Sequence, residues 1–225
     1  MNNPSFDVGR ALTFMFEEEE WVMKLAIATL MTFLGFLIVP LIILQGYTIE
    51  IIRRVGRNER PALPTWDNWN LYLSDGLKAF GAGIAYASPT ILLACCAVVP
   101  LTALAEESGD MEGGVALLIL CISCLVFLIQ LPLFVFYLAG MVEYAATKDF
   151  GAFFRFSQLW ADIRRHNTIY LYAVGVLFIA SFVGNFLPVI GYAWSQFVTG
   201  HALGQYLRHL NRETPAAPDP LSTVL

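Results

Sequence analysis

The stretch "ALPTWDNWNLYLSDGLKAF", Ala62 to Phe80, decides how this chain is read. It holds Trp66, Trp69, Asp67, Asp75, Pro64 and Lys78, and it sits between long apolar runs. Trp66, Trp69, Leu73 and Leu77 fall at i, i+3, i+7 and i+11, which is one stripe of a helix. Asp67 can cap that helix after Pro64 has broken what precedes it. Trp rings favour the headgroup depth of a bilayer. The spacing therefore predicts a short amphipathic helix lying on a membrane interface and leading into a span. The basic cluster before it, "RRVGRNERP", can attract anionic lipid.

Composition points the same way. The chain has 225 residues, of which 57% are hydrophobic and 14% charged, and its mean hydropathy is +0.63. A soluble domain carries about 25% charged residues, so there is too little polar surface here to cover a water-soluble globule. The net charge of −5 says little, because in a membrane the placement of charges matters more than their sum. The opening "MNNPSFDVGRALTFMFEEEEW" lacks the basic start, apolar run and small-residue site of a cleaved signal. The first apolar segment is expected to act as an uncleaved insertion signal, and no lipidation motif opens the chain.

Six segments are candidates to cross the bilayer: Trp21–Val39, Pro40–Val55, Ala79–Leu104, Val115–Met141, Thr168–Leu187 and Pro188–Leu207. Four are clear. The two that begin at Pro40 and Pro188 are shorter, and the second segment's roughly 16 residues give about 24 Å against a core of ~30 Å. Charge placement chooses between layouts. Four spans leave Arg10, Lys24, Arg208 and Arg212 on the outside. Six spans put all 13 Lys and Arg on one side, opposite the acidic loop "EESGDMEGG". Proline also suits the first turn of a helix. The expected fold is all-α, a polytopic helical membrane protein with six membrane segments and cytoplasmic interfacial amphipathic helices. It sits in the cell (inner) membrane with both termini cytoplasmic. Residues 1–20 form an N-terminal interfacial segment, 21–210 one helical membrane domain, and 211–225 a Pro-rich disordered tail.

A second connector, "KDFGAFFRFSQLWADIRRHN", has Phe153, Phe156 and Trp160 at i, i+3 and i+7, then Arg164 and Arg165. Both connectors follow similar helix ends, "GYTIE" (Gly46–Glu50) and "GMVEY" (Gly140–Tyr144). This reads as a weak repeat of descending span, interfacial aromatic helix and ascending span, with both copies in the same orientation.

Few residues carry chemistry. Cys95, Cys96, Cys121 and Cys124 fall at one depth of the third and fourth segments, and "CISC" is a CxxC that could take a soft metal or exchange disulfides. A bare thiolate in hydrocarbon is disfavoured, and packing as a small hydrophobe is the simpler reading. His201, with Gln205 one turn on, can ligate a pigment or relay protons, but hydrogen-bonded packing explains it more simply. Glu50 and Glu143 end two descending helices. They form either helix-end ion pairs, as with Arg53 and Arg54, or a polar vestibule for a cation. Asp67, Asp75 and Lys78 read as cap and surface pairing, or as an interface to headgroups or a partner. There is no phosphate loop, nucleophile elbow or HExxH.

The residues Gly46-Tyr47, the arginines after them, "LPTWDNW", Asp75-Gly76-Leu77-Lys78 and "YASP" (Tyr86–Pro89) resemble the membrane proteins called domain of unknown function 4013. That resemblance covers most of residues 10–210 and implies a helical membrane protein, with no activity, cofactor or catalytic residue attached. The four Cys depart from the pattern associated with that family. The leading expectation is a non-enzymatic membrane subunit or scaffold. Its partner or lipid interface would be built from Trp66, Asp67, Trp69, Asp75, Lys78, Phe153, Phe156 and Trp160. The alternative is a small permease or lipid/amphiphile-handling protein. Expected partners are the lipid bilayer and a membrane protein complex or second copy, with no nucleic acid and no cofactor.

Overall fold

Prolines and tight turns set the helical hairpins. In the computed structural model, which describes residues 6–18, 20–107 and 113–213, every regular element among those residues is helical. α1 (Val8–Thr13) and a 3-10 turn (Phe14–Glu17) precede α2 (Trp21–Phe33). A second 3-10 turn leads to Ile38 (φ 63°), and α3 (Val39–Gly56) starts with Pro40 in its first turn, where no N–H is needed. Arg53 and Arg54 occupy its last turn, where positive charge suits the helix dipole. α4 (Trp69–Leu93) continues through a π stretch (Ala94–Val98) into α5 (Val99–Glu107). Pro100 cannot donate to the Cys96 carbonyl and its ring crowds it, and the widened turn relieves that clash. α6 (Gly113–Thr147) is followed by a 3-10 turn (Phe150–Phe154), α7 (Phe156–Arg165), α8 (Asn167–Gly184) and α9 (Pro188–Glu213), which opens on its own proline.

The two polar helices lie at the centre. α3 packs along α9 and α4, and α9 packs along α3 and α8. Side-chain-free positions permit this. A Cβ on Gly46 of α3 would overlap the Tyr72 carbonyl of α4, and one on Gly76 of α4 would overlap the Ile42 carbonyl of α3. Gly200 and Gly204, one turn apart on α9, seat against Ile51 and Val55 of α3. Close approach at small residues is how helices associate where lipid removes the hydrophobic drive.

Three helices are long and apolar enough to cross a membrane: Trp69–Ala103, Ala116–Thr147 and Asn167–Gly184. A fourth exists only if Val8–Glu17 and Trp21–Leu37, bent by 103°, are one span. Of the six expected segments, three, or four with that bent pair, meet this test of length and composition. The segments opened by Pro40 and Pro188 are helices, but α3 carries Glu50, Arg53 and Arg54, and α9 carries Ser195, Thr199, His201 and Gln205 on buried faces. Shielded by protein, they need not match lipid.

The predicted interfacial helix at Ala62–Phe80 is corrected. Residues 62–68 form a loop, and Trp69–Phe80 are the opening turns of the long span helix. Asn68, not Asp67, precedes the first turn, and no side chain caps it. The second aromatic stripe divides in the same way. Phe153 lies buried in the 3-10 turn, whereas Phe156 and Trp160 sit on α7 and are about half exposed. The N-terminal segment buries Ala11 in one hydrophobic cluster and Phe14 and Met15 in a second. Residues 108–112, which hold most of the acidic loop, and the tail beyond Glu213 lie outside the described residues.

Candidate functional site

The helix ends that carry the basic residues meet at one end of the molecule. Lys24 Nζ, 5% exposed, donates to Glu18 and to the Leu63 carbonyl, both at 2.9 Å. The Leu63 N–H donates back to Glu18 at 2.8 Å. Tyr47 and Tyr72 hydroxyls donate to the carbonyls of Pro64 (2.8 Å) and Thr65 (2.6 Å). Trp66 then stacks on Tyr47, with centroids 4.0 Å apart. Each peptide of "LPT" is thus held by a side chain, and Trp66 is 8% exposed.

Beside this loop lies a buried ionic knot. Arg53 donates through Nη2 to Asp75 (3.0 Å), through Nε to the Ala145 carbonyl (3.2 Å), and through Nη1 to Glu50. The Tyr144 hydroxyl takes the other Asp75 oxygen at 2.6 Å. Lys78 lies over the Tyr144 ring, 5.6 Å from its centroid. Every strong donor and acceptor is matched, as a buried ion pair requires. The knot joins α3, α4 and α6. The Asp75 carboxylate belongs to this knot and not to an exposed pair with Lys78.

At mid-span the surroundings change. Between α3, α4, α6, α8 and α9 lies a cavity of about 510 Å³. Tyr86 and Gln130, halfway along their helices, both line it. Its walls are Phe80, Ile84, Ile91, Phe134, Leu138 and Leu177, and its polar groups are Gln45, Gln130, Gln196, Tyr137, Tyr192, Ser181 and Thr199. Among the described residues, no charged side chain lines it. Gln45 donates to the Tyr137 hydroxyl (2.9 Å), which donates to the Ala79 carbonyl (3.3 Å). Thr90 donates to Gln130 (2.6 Å) and Thr48 to Gln196 (3.4 Å). Each amide is therefore anchored at one end. The Gln45 oxygen and the Gln130 and Gln196 nitrogens have no protein partner among the described residues. A cavity of this size, mostly apolar with a few convergent polar groups, is the common form of a small-molecule site, for which about 300–1,000 Å³ is usual. Charged solutes are disfavoured because nothing there offsets their desolvation.

A second cavity, of about 570 Å³, lies at the basic end among Arg10, Lys24, Arg60, Glu17, Glu18, Glu20 and His201. Its charges neutralise one another: Arg10 pairs with Glu17 at 3.4 Å and Lys24 with Glu18. His201 stacks on Phe14 (4.2 Å) and its Nδ1 takes a hydrogen bond from Gln205 at 3.2 Å. That leaves the ring proton on Nε2, where a haem or chlorophyll ligand would need a lone pair.

The remaining candidates are dispersed. Glu50 is tied to Arg53 and Arg54, while Glu143 accepts from Gln158 at 3.0 Å, so the two glutamates belong to separate networks. Near Glu143, burial pushes the Asp162 carboxyl above its usual range, and His166 and Arg165 pull it back. Asp67 and Trp69 are exposed. All four cysteines are exposed, Cys95 and Cys96 on the π stretch and Cys121 and Cys124 on α6. Among the described residues they do not gather into a metal-binding group. The sequence reading did not join Gln45, Gln130, Gln196, Tyr137 and Tyr192 into one site. Gln45 inside an apolar run was the available signal.

The family model described as "Protein of unknown function (DUF4013)" matches residues 30–190. No curated protein and no solved structure matches the chain.

Proposed function

The chain belongs to that family of proteins of unknown function, and from that premise we propose that it binds a neutral amphiphile within the membrane. The ligand has an uncharged head that donates and accepts hydrogen bonds, such as a hydroxyl or amide, and a hydrocarbon tail. One observation carries this reading: a cavity at mid-span with apolar walls, three half-satisfied glutamines and no charge. The head engages Gln45, Gln130 and Gln196, and the tail packs on Phe80, Ile84 and Phe134. This promotes the amphiphile-handling alternative above the partner-holding scaffold. The scaffold reading relied on aromatic anchors at the surface, and Trp66 and Phe153 are buried inside the fold.

The test is purification in mild detergent with mass spectrometry of bound lipid and protein, beside the variant Gly83→Leu. Gly83 borders the cavity, and a Cβ there makes only ordinary contact with Tyr137, at 3.7 Å. The added side chain enters the void without displacing backbone. The expected result is one neutral amphiphile per wild-type chain, lost in Gly83→Leu at unchanged thermal stability. Equal, non-selective phospholipid in both, or a stoichiometric protein partner with no small amphiphile, overturns the proposal.

A further inference from the structure

At the basic end, α9 closes against the junction of α7 and α8 with three metal-ligating side chains. His209 and Glu213 are four residues apart on α9, and that spacing puts them on one helix face. His166 is the single residue between α7 and α8. His166 Nε2 is 2.7 Å from one Glu213 oxygen, and His209 Nε2 is 3.2 Å from the other. One ligand atom from each residue lies within 4.8 Å of the others. The two rings meet edge to face, with centroids 5.3 Å apart.

The far side of His166 fixes its tautomer. Its Nδ1 is 3.3 Å from the Asp162 carbonyl. A carbonyl only accepts, so Nδ1 carries a proton, and the neutral ring then presents its Nε2 lone pair. This backbone support behind a ligating imidazole is the usual outer partner of a metal-bound histidine. A lone pair facing a carboxylate oxygen needs a cation between them. A proton would serve His166 and Glu213 alone. A metal ion serves both imidazoles and the carboxylate at once.

We propose that His166, His209 and Glu213 bind one divalent transition-metal ion of the Zn2+ class. Two imidazole nitrogens and one carboxylate oxygen are the ligands Zn2+, Co2+ and Ni2+ prefer, and they are poor for Ca2+ or Mg2+. The ion clasps the last turn of α9 to the start of α8. The site is separate from the mid-span cavity and from the cysteines, and it stands whether or not an amphiphile binds.

The experiment uses the full chain in detergent after treatment with chelator. Co2+ is titrated and followed by its visible absorption, Zn2+ is used as competitor, and thermal unfolding is measured with and without each ion. The expected result is one Co2+ per chain, displaced by Zn2+, with a raised Tm. Affinity should fall by at least about tenfold in Glu213→Gln and His209→Ala. It should be unchanged when Cys95, Cys96, Cys121 and Cys124 are all replaced by Ala. Glu213 is exposed, so Glu213→Gln keeps the fold even if His209→Ala does not. Three outcomes overturn the proposal: no absorption change with excess Co2+, the same affinity in Glu213→Gln, or binding that disappears only in the cysteine-free variant. The three side chains would then form an imidazolium–carboxylate pair.

Discussion

The two ends of α6 are built under opposite rules. From Leu138 to Ala145 its hydrophobic residues are nearly all sealed inside the protein, and Tyr144 closes the ionic knot. In its most apolar window, toward the other end, no residue is buried. Along the same helix Leu120, Leu125, Phe127 and Leu128 stand half or more exposed. α4 behaves alike: Tyr72, Asp75 and Ala79 are covered, while Ile91 and Leu92 are not. The difference teaches where the fold is fastened. In lipid, apolar surface gains little from meeting apolar surface, so association depends on close packing and polar links. Arg53 with Asp75, and Gly200 and Gly204 against α3, lie toward the basic end, whereas at the other end one close approach, Gly184 on Gly191, ties α8 to α9.

The sharpest way to break this comparison is Asp75→Asn. It leaves Arg53 as a buried charge with one partner fewer, at an expected cost of about 3–5 kcal/mol in detergent unfolding. Replacing the pair together by Arg53→Met and Asp75→Leu should recover much of that loss, because matched apolar side chains need no counter-charge. A cost under ~1 kcal/mol for Asp75→Asn would mean that the knot is not what fastens the three helices.

Gly46→Ala comes next. Its methyl meets the Tyr72 carbonyl, so α3 and α4 must part, and overpacking of this kind costs about 1–3 kcal/mol. A Tm equal to wild type would show that the crossing relaxes without loss. The smallest effect belongs to the other end. Leu128→Ala and Phe127→Ala should stay within about 0.5 kcal/mol of wild type, as changes at sites without protein contacts do. If either matches the loss seen in Asp75→Asn, that face is covered by another protein chain and not by lipid.

What was legible in the sequence was legible for local reasons. Apolar runs of span length stand out by composition, and prolines at 40 and 188 mark helix starts because the first turn needs no N–H there, although Pro89 and Pro132 lie inside α4 and α6. The docked "LPTW" loop was not legible. Its apolar spacing fits a helix stripe equally well. What excludes the stripe is a set of partners outside it: Glu18, Lys24 and Tyr47 earlier in the chain, and Tyr72 seven residues after Thr65. Trp66 therefore stacks inside while Trp69, three residues on, faces outward. The membrane cavity was half legible for the same reason. A glutamine in an apolar run announces a polar need, but not which helices meet around it.

The sequence by itself determined an all-helical chain with several apolar runs long enough for a bilayer, and membership of a family without assigned activity. Those properties follow from composition and from short-range backbone constraints. Only the tertiary structure decided that the two Pro-opened helices form a shielded polar centre, that Asp75 answers Arg53, and that Gln45, Gln130 and Gln196 share one cavity. The physical reason is that a polar side chain in a low-dielectric interior must be matched by whatever lies across from it. That partner comes from a different helix, at a separation no local pattern encodes.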